Sequence, residues 1–260
     1  MFFYRNDLRN QLKYLKNNFN ILGLKSSFED EGCMIDEMFS TRSLTHQCGI
    51  DFSIKIGGCE AKTDVMNSAI LEANAIVAPM IESEFALQKW SETVSFFQNK
   101  NILNSCRFFI NIESKCAYEN IQNIINSAYT NTLSGIVVGR SDFARSFGMT
   151  KKEVNTDFIF DKTKFVLECA KSKDLITCIG GTISVDSSIF INKLYDLGLL
   201  DRIETRNVII ELNDNNIKNI SSGIEAALLF EKTWLKSKEE YQSILKDVCS
   251  SRIKAIGNRK

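Results

Sequence analysis

RFFINIESKCAYENIQNIINSAYTNTLSGIVVGRSDFARSFG, residues 107–148, contains two short apolar runs separated by an amphipathic stretch. Arg107–Ile112 and Gly135–Gly139 are apolar on both faces, as strands buried inside a parallel sheet are. Ala117–Tyr129 spaces its apolar residues as a helix does. Strand, helix, strand is the repeating unit of a parallel α/β fold. A carboxylate follows each strand, Glu113 after the first and Asp142 shortly after the second.

The same alternation extends in both directions. Further strands are predicted at Ile21–Ser26, Phe52–Ile56, Ala75–Met80, Leu175–Ile179 and Arg202–Leu212, the last divisible into two near Asn207. Helical patterns cover Met34–His46, Glu60–Glu72, Glu84–Gln98, Lys162–Lys173 and Ser188–Leu197. Seven or eight such units predict an α/β (β/α)8 TIM barrel over residues 1–260, read as one domain. A helix at Arg5–Asn17 precedes it, and residues 222–260 form a helical C-terminal extension whose Ile224, Ala227, Leu228, Glu231, Leu235 and Tyr241 make a partly apolar stripe. An open doubly wound sheet is the alternative, but neither GxGxxG after the first strand nor GxxxxGK[ST] anywhere supports its nucleotide-binding forms.

Lys+Arg and Asp+Glu are both 32, so the net charge is zero and a nucleic-acid or polybasic membrane role finds no support. No apolar run approaches the ~18 residues of a membrane span. The early charges at the N-terminus do not read as a secretory signal. Eight scattered cysteines without a CxxC pair predict reduced thiols and a cytoplasmic location. His46 is the only histidine, and it reads as a surface or C-cap residue. A His-based metal site or a Ser–His–Asp relay with a spare histidine is therefore excluded. Chemistry falls to carboxylates, Lys, Arg and a metal held by oxygen ligands.

In such a barrel the active site lies at the carboxyl ends of the strands. Charged residues inside apolar strands are costly to bury unpaired. Lys55 stands between Ile54 and Ile56, and Glu113 closes Phe-Phe-Ile-Asn-Ile. Glu113 and Asp142 end consecutive units, which are usually neighbours, and carboxylates converging there repel unless a proton or a cation lies between them. With no histidine on hand, Mg²⁺ or Mn²⁺ suits that ligand set. Lys55 and Arg140 supply positive charge for an anionic substrate. A second role open to Lys55 is that of a Schiff-base amine, which requires burial to lower its pKa. Gly57-Gly58 and Gly180-Gly181 allow backbone amides to approach a ligand.

KIGGCEA (55–61), APMIES (78–83), FINIES (109–114) and IVVGRSDFARSFG (136–148), in that order, resemble the HpcH/HpaI aldolase and citrate lyase beta-subunit family. The resemblance covers roughly residues 21–210. It implies a barrel of the phosphoenolpyruvate/pyruvate-binding type, with a divalent metal on Glu113 and Asp142 that chelates pyruvate, oxaloacetate or a similar 2-oxo acid. It also implies a homo-oligomer, trimers and hexamers being frequent. Three positions depart from the family pattern: Lys55 stands where many members have Arg, FEDEG (28–32) lacks the histidine base of the aldolase branch, and Gly139-Arg140 replaces Gly-Pro.

The expected activity is thus a metal-dependent carbon–carbon lyase. Lys55 and Arg140 hold the substrate carboxylate, assisted by Gly57, Gly58 and Ser141. Glu29, Glu31 or Glu60 moves the proton, and Glu82 supports the surroundings. Rival readings keep the site and change the reaction: acyl-CoA lyase or thioesterase chemistry, decarboxylation, or a non-catalytic metabolite-binding barrel. An acyl-CoA substrate directs attention to Arg145, Lys151 and Lys152.

Overall fold

The computed structural model describes residues 4–259. Helix α1 (Arg5–Phe19) leads into strand β1 (Ile21–Ser27), followed by α2 (Ile35–Cys48) and β2 (Asp51–Lys55). Next come α3 (Lys62–Ile70), β3 (Ala75–Ala78), α4 (Glu84–Gln98) and β4 (Arg107–Ile112). Two short helices, α5 (Lys115–Glu119) and α6 (Ile121–Asn126), and one 3-10 turn occupy the segment read as a single helix. After β5 (Gly135–Gly139), α7 (Arg140–Ser146) starts directly at the strand end, a helix the apolar pattern does not announce. Then follow α8 (Asp157–Lys171), β6 (Ile176–Gly180), α9 (Ser188–Asp196), β7 (Arg202–Glu204), β8 (Val208–Glu211) and α10 (Ile220–Gly257).

The eight strands close in sequence order into one barrel, as the alternation predicts. Strands β1 to β7 are parallel. The division near Asn207 is a hairpin, and β8 runs antiparallel to both β7 and β1. Residues 205–207 are too few for a helical crossover, so the chain must reverse between β7 and β8. Their loop consequently lies at the same end of the barrel as the carboxyl ends of β1 to β7.

Two layers of apolar packing hold the barrel. Ala75, Val77, Phe109, Val137 and Cys178 fill its interior. The larger layer joins strands to the surrounding helices and includes Phe52, Ile110, Trp90 and Phe143. Helix α1 contributes Leu8, Leu12, Leu15 and Phe19, spaced to present one buried face. Phe19 reaches Gly223 of α10, where an added Cβ would come within 3.1 Å of its ring. The amino ends of the strands are tied by ion pairs, Arg107–Asp51, Arg202–Glu211 and Lys171–Asp201. All eight cysteines are free. Among the described residues, no helix is long and apolar enough to cross a membrane.

Candidate active site

A polar cavity of about 420 Å³ opens at the carboxyl end of the barrel. Its walls come from nearly every strand end, and Glu113, Asp142, Lys55 and Ser141 are all among them. Glu113 is 3% exposed. Its Oε1 accepts the backbone N–H of Met80 at 3.1 Å, and its Oε2 accepts Asn111 Nδ2 at 2.9 Å. Met80 adopts φ +52°, a left-handed conformation costly for a side-chain-bearing residue, and in that conformation its N–H meets the carboxylate. Lys55 Nζ is 3.9 Å from Glu113 Oε2 and 4.0 Å from Asp30 Oδ2, beyond hydrogen-bond reach of either. Its three N–H donors are therefore not taken up by these carboxylates.

Asp142 lies in the first turn of α7, where the helix dipole favours an anion. Its side chain is about half exposed and 3.6 Å from Arg145. Strands β4 and β5 pair side by side, with Ile112 opposite Val138, so Glu113 and Asp142 reach one cavity from neighbouring units. Gly139 makes room for Glu113: a Cβ there would sit 2.6 Å from Glu113 Oε2 and 2.9 Å from its Cβ. Gly139→Ala is expected to leave a folded barrel while lowering Mn²⁺ affinity roughly tenfold, through displacement of the carboxylate. Isothermal titration with Mn²⁺ checks it, and unchanged affinity would remove Glu113 from the ligand set.

The donor set fits a hard divalent ion. Asn111 Oδ1 is buried without a hydrogen-bond partner, and Asn111 lines the cavity with Glu113. Among the described residues, no group of three or more His, Cys, Asp or Glu converges. Two carboxylates and an amide oxygen suit Mg²⁺ or Mn²⁺, which retain water and bind substrate through the remaining positions.

The structure corrects several expected site residues. Arg140 is fully buried and does not line the cavity. Its guanidinium donates to Asn155 Oδ1 at 2.8 Å and to the Gly180 and Gly181 carbonyls at 3.2 and 3.3 Å, and it lies over the Phe190 ring. Burial lowers its pKa to about 9, so it remains charged at neutral pH. Being the first residue of α7, it points between that helix and β6 and away from the cavity. Glu60 is a surface residue 3.5 Å from Lys89. Glu29 is exposed and packs beside Gly57, whose N–H donates to Asp64 at 2.8 Å. Gly57 and Gly58 therefore lie outside the cavity lining. Glu82 accepts the Ser114 hydroxyl behind the strand ends, also off the cavity. His46 is exposed in the last turn of α2.

Of the three proton-transfer candidates, Glu31 alone lines the cavity. It is held by Arg206 Nε at 2.9 Å and Asn207 Nδ2 at 3.1 Å. The wall across from Glu113 contains residues not assigned from the sequence. Lys25 forms a buried ion pair with Glu204. Burial alone would depress the Lys25 pKa, but Glu204 outweighs it and the net shift is upward. Thr205 Oγ1 and the Asn207 N–H both bond Glu231 Oε1 of α10, at 2.6 and 2.7 Å. Lys25 carried the same signal as Lys55, a charge inside an apolar strand, and Asn111 carried a weaker one, a neutral polar side chain between Ile110 and Ile112. Glu231 stood in the apolar stripe of the C-terminal extension, but only the packing of α10 brings it to the mouth.

Among curated proteins, none matches this sequence. Several solved structures share the fold. An HpcH/HpaI aldolase from Desulfitobacterium hafniense DCB-2 superposes with TM-score 0.61 at 11% identity, covering 79% of this chain and 82% of that one. A HpcH/HpaI aldolase/citrate lyase family protein from Burkholderia cenocepacia J2315 also gives 0.61 at 11% identity, over 93% and 90%. The citrate synthase SbnG gives 0.59 at 13% identity, over 88% and 90%. The model of the HpcH/HpaI aldolase/citrate lyase family matches residues 57–186, half of the chain and the stretch from the loop after β2 to the turn before α9. This chain belongs to the HpcH/HpaI aldolase/citrate lyase family.

Proposed function

We propose that the cavity is the active site of a divalent-metal-dependent carbon–carbon lyase that makes or breaks the bond next to a 2-oxo acid. The observation that carries this reading is Glu113, Asp142 and Asn111 lining one cavity with Lys55, with the buried Asn111 Oδ1 lacking a hydrogen-bond partner. Glu113, Asp142 and Asn111 would hold Mg²⁺ or Mn²⁺. When bound, the ion supplies Lewis-acid stabilisation of negative charge developing on a substrate oxygen.

The remaining roles belong to side chains. Lys55 offers free N–H donors to the substrate carboxylate, as a point charge and not a two-pronged clamp. Ser141 Oγ, bonded to Thr182 Oγ1 at 2.7 Å, offers a further polar contact at the cavity wall. Glu31 accepts or returns the proton, oriented by Arg206 and Asn207. The paired Lys25 and Glu204 present a donor and an acceptor to the second reactant while adding no net charge.

Proton exchange tests this reading directly. Pyruvate incubated with the protein and diamagnetic Mg²⁺ in deuterated water should lose its methyl proton NMR signal. Glu31→Gln should slow that loss by at least about a hundredfold, the lower range of acid–base contributions. Exchange without added metal would refute the metal dependence, and no exchange alongside measurable pyruvate binding would refute the enolisation chemistry. Metal binding with no affinity for pyruvate or oxaloacetate would favour another substrate class.

A further inference from the structure

Glu231 interrupts the apolar face of α10. That buried face is otherwise built from Ile224, Ala227, Phe230 and Trp234, and Glu231 lies on it, 9% exposed. A carboxylate there is costly unless donors compensate it, and an apolar side chain would pack without that cost. Among the described residues its hydrogen bonds all come from one turn. The Thr205 hydroxyl and the Asn207 N–H both donate to Glu231 Oε1, at 2.6 and 2.7 Å.

That turn, residues 205–207, is the whole connection between β7 and β8. Asn207 is buried and faces two ways. Its backbone N–H goes to Glu231, while its Nδ2 donates to the Lys25 carbonyl at 3.0 Å and to Glu31 Oε1 at 3.1 Å. Both side-chain N–H groups are thereby committed. Arg206, in the middle of the turn, donates to the same Glu31 oxygen from Nε at 2.9 Å. Glu31 belongs to no helix or strand; it lies in the loop between β1 and α2, beside Gly32 at φ +58°. Its Oε2 receives the weak Cys33 thiol donor at 3.6 Å. The carboxylate of Glu31 is therefore aimed chiefly by the turn, and the turn is anchored to α10 through Glu231.

We propose that Glu231 is a positioning residue for Glu31, fixing from α10 the turn whose Arg206 and Asn207 orient that carboxylate in the cavity. The inference rests on the reading of Glu31 as the proton-transfer group. Displacing such a group by about 1 Å costs about a hundredfold in rate. Lys55, Glu113 and Asp142 take no hydrogen bond from the turn, so metal and 2-oxo acid binding should not depend on Glu231. Its contribution should therefore fall on the rate of proton transfer and not on affinity.

Pyruvate methyl exchange with Mg²⁺, together with NMR of the free protein, tests the inference. Glu231→Ala should slow exchange at least about tenfold while pyruvate and Mg²⁺ affinities stay within about twofold. Glu231→Gln, whose amide oxygen still accepts both donors, should keep exchange within about threefold of wild type. Thr205→Val removes one of the two donors and should slow exchange less than Glu231→Ala, with the barrel intact by circular dichroism. In a protein already carrying Glu31→Gln, adding Glu231→Ala should change little, since a residue acting through Glu31 has nothing left to act on. The Asn207 side-chain amide signals of the free protein should move in Glu31→Gln and in Glu231→Ala, and stay in place in Glu231→Gln. Asn207 signals unmoved by Glu231→Ala overturn the inference whatever the chemistry. Slowing in Glu231→Gln equal to that in Glu231→Ala, or additive slowing in the double variant, overturns it as well. If the wild type binds pyruvate without exchanging its protons, the lyase reading falls, and the Asn207 signals alone decide whether Glu231 orients Glu31.

Discussion

If the proposed metal site is the one described, Mn²⁺ should raise the unfolding midpoint of the protein and Asp142→Ala is expected to remove nearly all of that rise. At a metal concentration a hundredfold above its dissociation constant, binding to the native state alone adds about 2.7 kcal/mol. For a chain of this size that is an upward shift of roughly 5–11 °C in the unfolding midpoint. Altering residues that merely support a ligand costs 10- to 100-fold in metal affinity, so loss of a ligand should cost about a hundredfold or more. The shift should then fall to about 0.4 kcal/mol or less at the same metal concentration, roughly 1 °C. Without metal the variant should unfold near the wild-type temperature. Asp142 is half exposed, and its 3.6 Å contact with Arg145 is a surface pair of little worth. Glu113→Gln should also lose the shift, while its similar shape fits the same pocket beside Met80 and Asn111. Scanning calorimetry with and without Mn²⁺ decides the matter: a full metal shift in Asp142→Ala would exclude this carboxylate as a ligand.

Arg140→Met should be the most destabilising single change near the site, although Arg140 does not line the cavity. Removing the guanidinium leaves the Gly180 and Gly181 carbonyls, Asn155 Oδ1 and Ser187 Oγ short of a donor in a dry interior. Each unsatisfied buried group costs about 1–3 kcal/mol, and some are re-solvated, so about 3–5 kcal/mol is expected overall. The midpoint should fall by roughly 6–20 °C. Lysine cannot span the same acceptors, so Arg140→Lys should recover little. The pH dependence follows from burial lowering the folded pKa to about 9. Below that value both folded and unfolded states hold the proton, so Arg140 contributes no slope at neutral pH. Above it the unfolded chain binds the proton more tightly, and this group makes stability rise with pH up to its ordinary range. Lys55→Met is the contrast: a nearly unchanged midpoint with lost substrate affinity. Equal stability of Arg140→Met and wild type would refute the structural role.

Much of this was legible along the chain. Alternation of apolar runs and amphipathic stretches announced the closed barrel, because strands buried on both faces leave an uninterrupted apolar record. Lys55 and Glu113 stood out because a charge inside such a record needs a compensating partner. The same argument applies to Lys25, whose partner is Glu204. The reversal of β8 was visible only as a break near Asn207, since strand direction leaves no mark on composition.

Strand content, strand order around the barrel and the carboxylates at the ends of β4 and β5 are determined by local pattern, which neighbouring residues carry by themselves. The direction each strand-end side chain faces is not. A residue at a strand end can turn into the cavity, as Glu113 does, or back between helix and sheet, as Arg140 does, and one position of register separates the two. Tertiary structure alone turned Arg140 inward and moved Glu29 and Glu60 to the surface. It also brought Glu231 from a helix 26 residues further along to Thr205. Those outcomes depend on which acceptors and cavities the assembled barrel offers, and no local stretch of sequence contains them.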